Sequence, residues 1–253
     1  SFHLLLTDPT PKILNEELPP LVAEGNASIK VFMTYDLMNV GDEALLDRVL
    51  VSAGGPLRLV APDFGVPRAA PGLDAFRKEM PDVPVYAGAY PSELVAGATE
   101  MVVSPGIAMD ADIVREAQGA GVSIVGDIDL FVREATAPVV GITGSNAKST
   151  VTELVGQMAR DANLNVGVGG NLGTPALDLI EDREPDLYVL ELSSFQLETV
   201  SSLRCRAAVV LNVSPDHMDR FPDLSAYASV KAGVYAGAQV AVVNRDDPLV
   251  GAM

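Results

Sequence analysis

Cysteine, tryptophan, histidine and basic residues are all scarce in this sequence of 253 residues. Cys205 is the only cysteine, so neither an intrachain disulfide nor a cysteine-rich zinc site can form, and a reducing, cytoplasmic compartment is expected. The 17 Lys and Arg residues are outnumbered by 34 Asp and Glu residues, which gives a formal net charge of −17. Such a surface repels nucleic acid and anionic lipid, so any phosphate ligand must be held by local dipoles and a few cations.

Long hydrophobic runs are missing as well. No apolar run is long enough to cross a bilayer, and the opening stretch SFHLLLTDPTPK has no basic residue before its apolar run. We therefore expect neither a membrane span nor a signal peptide. Hydrophobic residues still make up 48% of the chain against 20% charged residues, which indicates a folded globular protein rather than a disordered one.

Segments typical of strands and helices alternate from Ser28 onward. The predicted strands are SIKVFMTY, LRLVAP, VPVYAG, EMVVSPG and VSIVG, and the predicted helices are DEALLDRVLVSAG, AFRKEM, ADIVREAQGAG and DIDLFVREA. The opening segment, through about residue 26, has no clean period and is predicted to be irregular or helical. The alternation implies right-handed crossovers and a parallel, doubly wound sheet, so residues 1–136 are predicted to form a Rossmann-like domain.

A second unit is predicted over residues 137–253. It holds the strands DLYVLEL, AAVVLNV and QVAVVNR, which are apolar throughout, as expected where helices cover both faces of a sheet. In the predicted helix STVTELVGQMARDA, four residues recur at helical spacing and are predicted to form a buried stripe: Val151, Leu154, Val155 and Met158. The predicted fold class is therefore α/β, with a P-loop-type parallel sheet in the second unit. Because the chain stops at Met253, soon after a strand, we expect this sheet to be incomplete.

The segment GITGSNAKST, residues 141–150, lies between a predicted strand and a predicted helix. This order directs backbone N–H groups and the positive end of a helix dipole at one point. Lys148 adds a cation for terminal phosphate oxygens, and the hydroxyl of Ser149 or Thr150 can bind Mg²⁺. The generic P-loop has glycine directly before the lysine, where this sequence has Ala147. An ordinary strand-to-helix turn with a surface lysine remains the alternative.

Two further predicted strands end in side chains that can carry chemistry. DLYVLEL places Glu191 near its carboxyl end, where a carboxylate can hold Mg²⁺ beside a nucleotide. The strand AAVVLNV runs on to Asp216 and His217. Each residue alone fits an ordinary strand end or a solvated loop. Three such ends at the same edge of one sheet favour a phosphate and metal site instead.

Together, the motifs TGSNAKST, GGNLGTPALDL, YVLELSSFQLET and LNVSPDHMDR closely resemble the Mur ligases of peptidoglycan synthesis. The resemblance is strong from about residue 101, where SPGIAMDADIVREAQGAGVSIVGDIDLF extends it upstream, and it is weak before that point. The loop type TGxNxKST is the family's own. The resemblance implies an ATP- and Mg²⁺-dependent amide ligation in which D-glutamate joins UDP-N-acetylmuramoyl-L-alanine through an acyl phosphate, carried out by a monomer.

The resemblance also assigns roles to residues of this sequence. It places ATP on Gly144, Ser145, Asn146, Ala147, Lys148, Ser149 and Thr150. It implies Mg²⁺ ligands at Ser149, Glu191, His217 and, if carbamylated, Lys231. Contacts to the UDP-sugar substrate are implied for Gly106, Asn171, Ser193, Gln196 and His217. Lys148, His217 and Lys231 would be the catalytic residues. From spacing alone, Lys231 in AYASVKAGVY is an exposed helix lysine.

The first domain and the length of the chain depart from the family pattern. The stretch VFMTYDLMNVGDEAL has Gly41 as its only glycine, where the family has a glycine-rich turn for the diphosphate, and LVAPDFGVPR lacks the family's uridine triplet. The family also has a third domain that binds the amino acid, so we expect little ligase activity from this chain alone. Two alternatives remain: a folylpolyglutamate synthase-like ligase, and a non-catalytic module that binds ATP or a UDP-sugar.

Overall fold

The computed structural model confirms the predicted α/β class: all the strand pairs that it describes are parallel. Parallel neighbours require crossover connections, which in proteins are usually helical. The described residues are 4–6, 29–31, 59–61, 77–78, 81–82, 84–87, 92–180 and 185–253.

Among its described residues, the first part of the chain has three pairs of short parallel strands: β1 (Leu4–Leu6) with β2 (Ile29–Val31), β3 (Leu59–Ala61) with β4 (Val85–Ala87), and β5 (Glu100–Val102) with β6 (Ser123–Val125). The prediction that the opening segment is irregular or helical is therefore wrong at its apolar run, whose three leucines pair with β2. The predicted helix DEALLDRVLVSAG lies outside the described residues, and of AFRKEM only residues 77–78 are described, both helical.

The helices whose bounds are described in this part of the chain are α1 (Ser92–Ala96), α2 (Asp112–Gly119) and α3 (Asp127–Glu134). The bounds of α2 and α3 agree with the helices predicted from ADIVREAQGAG and DIDLFVREA. Helix α2 buries Ile113, Val114 and Ala117 in a small apolar cluster with Val95 and Val103. This spacing puts one face of the helix against the β5–β6 pair.

A five-stranded parallel sheet forms the centre of the second part. Its strands are β7 (Val139–Thr143), β8 (Val166–Gly170), β9 (Leu187–Glu191), β10 (Ala207–Val210) and β11 (Ala241–Val243). The spatial order is β11-β10-β7-β9-β8, so the first strand of the sheet is its central one. Because the strands are parallel, the carboxyl ends of β7, β9 and β10 meet at one edge, where ligands bind in folds of this kind.

Helices and short turns of helix cover this sheet: α4 (Lys148–Asp161), α5 (Ser194–Thr199), α6 (Leu224–Ala232) and α7 (Pro248–Gly251), with 3₁₀ turns at Ala176–Leu179 and Gly233–Tyr235. The main apolar core extends from α3 to this sheet. There the rings of Phe131 and Tyr188 meet edge to face with centroids 4.9 Å apart.

The predicted apolar stripe on α4 is wrong. Leu154 and Met158 are 57% and 62% exposed, whereas Thr152 and Gly156 are buried. Helix α4 packs on the sheet through its small residues, because a Cβ atom at Gly156 would lie 2.6 Å from the side chain of Val168. Close approach of the helix backbone therefore replaces the expected contact through large side chains.

The expectation that helices cover every strand is also wrong at β11. All three of its residues are exposed, with Val242 at 50% and Val243 at 45%. This strand lies at the edge of the five-stranded sheet, beside β10, and its neighbours in the described chain leave its apolar side chains open to solvent. Its sequence alone is indistinguishable from that of a central strand.

Candidate functional site

The loop predicted to bind phosphate joins the central strand β7 to helix α4. Its last residue, Ala147, caps the helix in the left-handed conformation, with φ 65° and ψ 8°. This is the position at which the generic P-loop has glycine, and the left-handed conformation costs a residue with a Cβ atom roughly 1–2 kcal/mol. The loop therefore has at Ala147 the left-handed backbone conformation that glycine adopts most readily. The Nζ of Lys148 donates a hydrogen bond to the carbonyl of Ser145 at 3.4 Å, which folds this cation back over the loop.

The segment after β10 holds the phosphate loop in place. The backbone N–H of Ser145 donates to the carbonyl of Asn212 at 3.0 Å, and the N–H of Asn146 donates to Asn212 Oδ1 at 2.8 Å. Asn212 Nδ2 in turn donates to the carbonyl of Asn146 at 3.1 Å. Because the amides of Ser145 and Asn146 are used inside the protein, Lys148 and the amides that open α4 are the predicted phosphate ligands.

Ser214 extends this connection between the two loops. The Ser214 N–H donates to Ser145 Oγ at 2.9 Å, and the Ser145 hydroxyl donates to the Ser214 carbonyl at 3.0 Å. Asn146 Nδ2 donates to Ser214 Oγ at 3.1 Å. Sequence reasoning did not single out Asn212 or Ser214. The available signal was their position directly after an apolar strand whose carboxyl end lies beside the phosphate loop.

Glu191 lies at the carboxyl end of β9, opposite Ile142 of β7, and is 2% exposed. Its Oε1 accepts a hydrogen bond from Asn171 Nδ2 at 3.0 Å, whereas its Oε2 is buried and has no hydrogen-bond partner among the described residues. A buried carboxylate oxygen without a partner is costly, and a bound cation would satisfy it.

A magnesium ion fits this arrangement better than a metal held entirely by protein. Within the described ranges, no group of three or more His, Cys, Asp and Glu side chains could hold a metal ion. Mg²⁺ is commonly bound through one or two carboxylates, with substrate phosphates and water completing its shell. Glu191 supplies one such carboxylate, and the hydroxyl of Ser149 on the first turn of α4 stays the predicted second ligand.

Lys231 points from α6 into the same edge of the sheet. It is 1% exposed, its Nζ donates to the carbonyl of Gly144 at 2.9 Å, and the same atom lies 4.5 Å from the centre of the Tyr227 ring. The spacing-based interpretation of Lys231 as an exposed helix lysine is therefore wrong, because tertiary packing turns this face of α6 toward the phosphate loop.

The surroundings of Lys231 favour its uncharged form. Its pKa is lowered from the usual 10.5 to about 7, first by burial and then by the positive charge of Lys148, against the opposing effect of the Asp216 and Glu191 carboxylates. A substantial fraction of the amine is therefore neutral near physiological pH, and the neutral amine is the nucleophilic form.

His217 lies in the loop after β10 with a left-handed backbone, φ 54°. Its Nε2 is 3.7 Å from Asp216 Oδ2, and its ring centre is 4.7 Å from that of Phe195. The ring also meets that of Tyr227, with centroids 6.4 Å apart, so an aromatic contact joins His217 to the residue beneath Lys231.

The residues predicted to contact the UDP-sugar substrate make defined internal contacts. The N–H of Asn171 donates to the Glu191 carbonyl at 2.8 Å. Ser193 and Gln196 form a capping box at the start of α5, and Gln196 Nε2 donates to Asp127 Oδ2 at 2.7 Å. Gly106 is exposed in the turn after β5. Their role in substrate binding stays a prediction.

Comparison with protein families identifies the class to which this fold and site belong. The Mur ligase middle domain matches residues 142–253, and the Mur ligase MurD-like N-terminal domain matches residues 67–126. The chain belongs to the Mur ligase family, as the sequence motifs predicted.

Curated relatives narrow the similarity to one ligase. The UDP-N-acetylmuramoylalanine--D-glutamate ligase of Marinobacter nauticus is 58% identical over 179 residues, which are 71% of this chain and 40% of the relative. The ligase of the same name from Nitrosococcus oceani is 46% identical over 236 residues, covering 93% of this chain and 49% of the relative. The chain thus spans less than half the length of these two relatives.

A solved structure is similar at a much lower level. It is the UDP-N-acetylmuramate:L-alanyl-gamma-D-glutamyl-meso-diaminopimelate ligase from Neisseria meningitides, with 17% identity and a TM-score of 0.49 over 77% of this chain and 65% of that one.

In the described part of the chain, no helix is long and apolar enough to cross a membrane.

Proposed function

We propose that this chain forms the nucleotide-binding and UDP-substrate-binding part of a ligase that joins D-glutamate to UDP-N-acetylmuramoyl-L-alanine at the expense of ATP. The observation that carries the proposal is the convergence of a buried lysine, a buried carboxylate and a phosphate loop at one sheet edge. Lys231 Nζ bonds to the Gly144 carbonyl, and Glu191 on the adjacent strand has a carboxylate oxygen without a partner among the described residues.

The chemistry needs such an edge because a carboxylate is a poor acyl donor. Transfer of the γ-phosphoryl group from ATP to the substrate carboxylate gives an acyl phosphate and ADP. The amine of D-glutamate then attacks the acyl carbon, forms the amide bond, releases inorganic phosphate and loses a proton. The protein's part in the first step is to position the phosphates and neutralise their charge, which we assign to Lys148 and to the amides at the N-terminus of α4.

Ser149 and Glu191 would hold one Mg²⁺, and His217 would serve a second site near the substrate. The metal supplies charge neutralisation to the phosphate oxygens when bound. Gly106, Asn171, Ser193 and Gln196 are assigned to the UDP-sugar substrate.

Lys231 is the residue that we assign to carbamylation. Its neutral amine nitrogen attacks the carbon of CO₂, a proton leaves the nitrogen, and a carbamate anion with two oxygen donors results. Carbamylation thus replaces a cationic group by an anionic one near Glu191 and Lys148. The positive charge of Lys148 stabilises the carbamate. A lowered pKa favours this reaction, since the ammonium form has no lone pair to attack CO₂.

We assign the UDP moiety of the substrate to residues 1–136, and its muramoyl-alanine end together with ATP to residues 137–253. The ligands are then ATP, Mg²⁺ and the two substrates, and the protein is cytoplasmic and monomeric. Binding of D-glutamate is not assigned to residues of this chain.

Calorimetric titration tests the proposal. Separate titrations with UDP-N-acetylmuramoyl-L-alanine and with a non-hydrolysable ATP analogue plus Mg²⁺ are expected to show saturable binding of both ligands. Binding of the ATP analogue without the UDP ligand would instead favour a non-catalytic module, and binding of neither ligand would contradict the proposal.

A further inference from the structure

Arg220, three residues after His217, connects the two halves of the chain through one guanidinium group. Its Nη2 donates to Glu198 Oε2 at 2.6 Å and to the carbonyl of Ile107 at 2.9 Å. Ile107 belongs to the turn that follows β5, directly after Gly106. The side chains of Arg220 and Glu198 are only 12% and 14% exposed, so this ion pair is largely removed from water.

The same guanidinium lies against the aromatic group around the candidate site. Its Cζ atom is 4.6 Å from the centre of the Phe195 ring, within the range of cation–π attraction. Phe195 in turn contacts the ring of His217, and His217 contacts Tyr227, over which Lys231 lies. The Arg220 side chain is therefore linked directly to the turn at Ile107 and, through the Phe195 ring, to the ring of His217.

Lysine is a poor substitute at this position. The planar guanidinium presents several N–H donors in a fixed fork and also a face that can stack on an aromatic ring. Nη2 alone donates both hydrogen bonds, and its two N–H groups lie in the guanidinium plane, so the same rigid group that meets the Phe195 ring also sets the direction of both bonds. An ammonium group has no such plane. The arrangement thus uses the features in which arginine differs from lysine.

We propose that Arg220 is a positioning residue that fixes the Gly106–Ile107 turn against His217 and so aligns the UDP-sugar site with the phosphate site. This inference rests on the proposed function, since Gly106 is assigned there to the UDP-sugar. It predicts a selective defect, in which loss of the guanidinium weakens binding of the UDP-sugar and leaves binding of ATP unchanged, because the phosphate loop is held by Asn212 and Ser214.

The test measures the dissociation constants of UDP-N-acetylmuramoyl-L-alanine and of a non-hydrolysable ATP analogue for the unsubstituted chain, Arg220→Ala and Arg220→Lys. For both variants the dissociation constant of the UDP ligand is expected to rise by about tenfold, the size of one lost charge-assisted hydrogen bond, while that of the ATP analogue stays within about twofold. Should Arg220→Ala fail to fold, Arg220→Lys carries the test.

Arg133→Ala provides the matched control. Arg133 also forms an ion pair, through two hydrogen bonds to Glu100 at 2.5 and 2.8 Å, but it lies on α3 and is more exposed than Arg220. This variant is expected to change neither dissociation constant. A uniform loss of both affinities in the Arg220 variants would indicate a merely structural role and overturn the inference, as would unchanged binding of the UDP ligand. If the unsubstituted chain binds neither ligand, the proposed function fails together with this inference. If the unsubstituted chain binds both ligands and the Arg220 variants bind them equally well, only this inference fails.

Discussion

Replacing Lys231 by methionine separates the charge of this buried side chain from its bulk. Methionine keeps an unbranched chain beside the Tyr227 ring but carries no ammonium group. The pKa of Lys231 is about 7 in the folded protein and near its usual 10.5 in the unfolded chain. Because one pKa unit corresponds to about 1.36 kcal/mol, this gap sets the cost of burying the ammonium at on the order of 5 kcal/mol at low pH.

The sign of the pH dependence follows from proton binding. Between the two pKa values the unfolded chain binds more protons than the folded protein, so the stability of the unsubstituted protein rises with pH through this window. Lys231→Met removes that dependence. The variant also loses the hydrogen bond to the Gly144 carbonyl, which costs about 1–3 kcal/mol at every pH. The diagnostic quantity is therefore how the difference in the free energy of unfolding between the two proteins changes with pH, not the size of that difference at one pH.

Urea unfolding at pH 7 and pH 9, in buffers freed of CO₂, measures this change. The free energy of unfolding of the unsubstituted protein, relative to that of Lys231→Met, is expected to increase by about 2 kcal/mol from the lower pH to the higher one. Lys78→Met, at an exposed lysine outside the site, is the control and should show no such change. A relative stability that is the same at both pH values within about 0.5 kcal/mol would show that the site of Lys231 does not disfavour the charged amine.

Two further substitutions test the phosphate loop. Ala147→Gly removes the steric cost of a Cβ atom in the left-handed conformation and is expected to stabilise the protein by about 1 kcal/mol. Ala159→Gly, inside the same helix, is the control and should destabilise the protein by a similar amount. Urea unfolding measures both changes, and a destabilising Ala147→Gly would contradict the observed turn. Asn212→Ala removes two hydrogen bonds to Asn146 and is expected to weaken binding of an ATP analogue by about tenfold in calorimetry, so an unchanged affinity would show that the loop does not need this support.

The sequence permits prediction of the edge of the sheet at which the site lies. Three of the patterns are local: apolar strands, a small-residue turn before a helix, and a carboxylate at a strand end. Local patterns do not depend on contacts between distant elements. This is why α4 begins at Lys148, one residue before the predicted helix, and why Glu191 ends β9 as expected. The motifs also identified the family, since several short strings at separate places rarely coincide by chance.

Features that depend on contacts between distant elements escaped prediction. Lys231 occupies a helix whose periodicity is weak, so its burial follows only from the packing of α6 against the phosphate loop. Helix α4 was assigned the wrong buried face because Gly156, which has no side chain, makes the close contact to the sheet. Arg220 and Asn212 resemble ordinary loop residues in the sequence, and their roles appear only through partners that are far away along the chain.

Binding of a non-hydrolysable ATP analogue to Lys148→Ala, in the presence of Mg²⁺, tests most directly whether this sheet edge is a triphosphate site. Arg160→Ala, at the other end of α4, is the matched control for loss of a cation from the same helix. Loss of a charge-assisted phosphate contact costs on the order of 2 kcal/mol, so we expect an affinity at least about 30-fold weaker for Lys148→Ala and unchanged for Arg160→Ala. Equal affinities for Lys148→Ala and the unsubstituted chain would contradict this expectation.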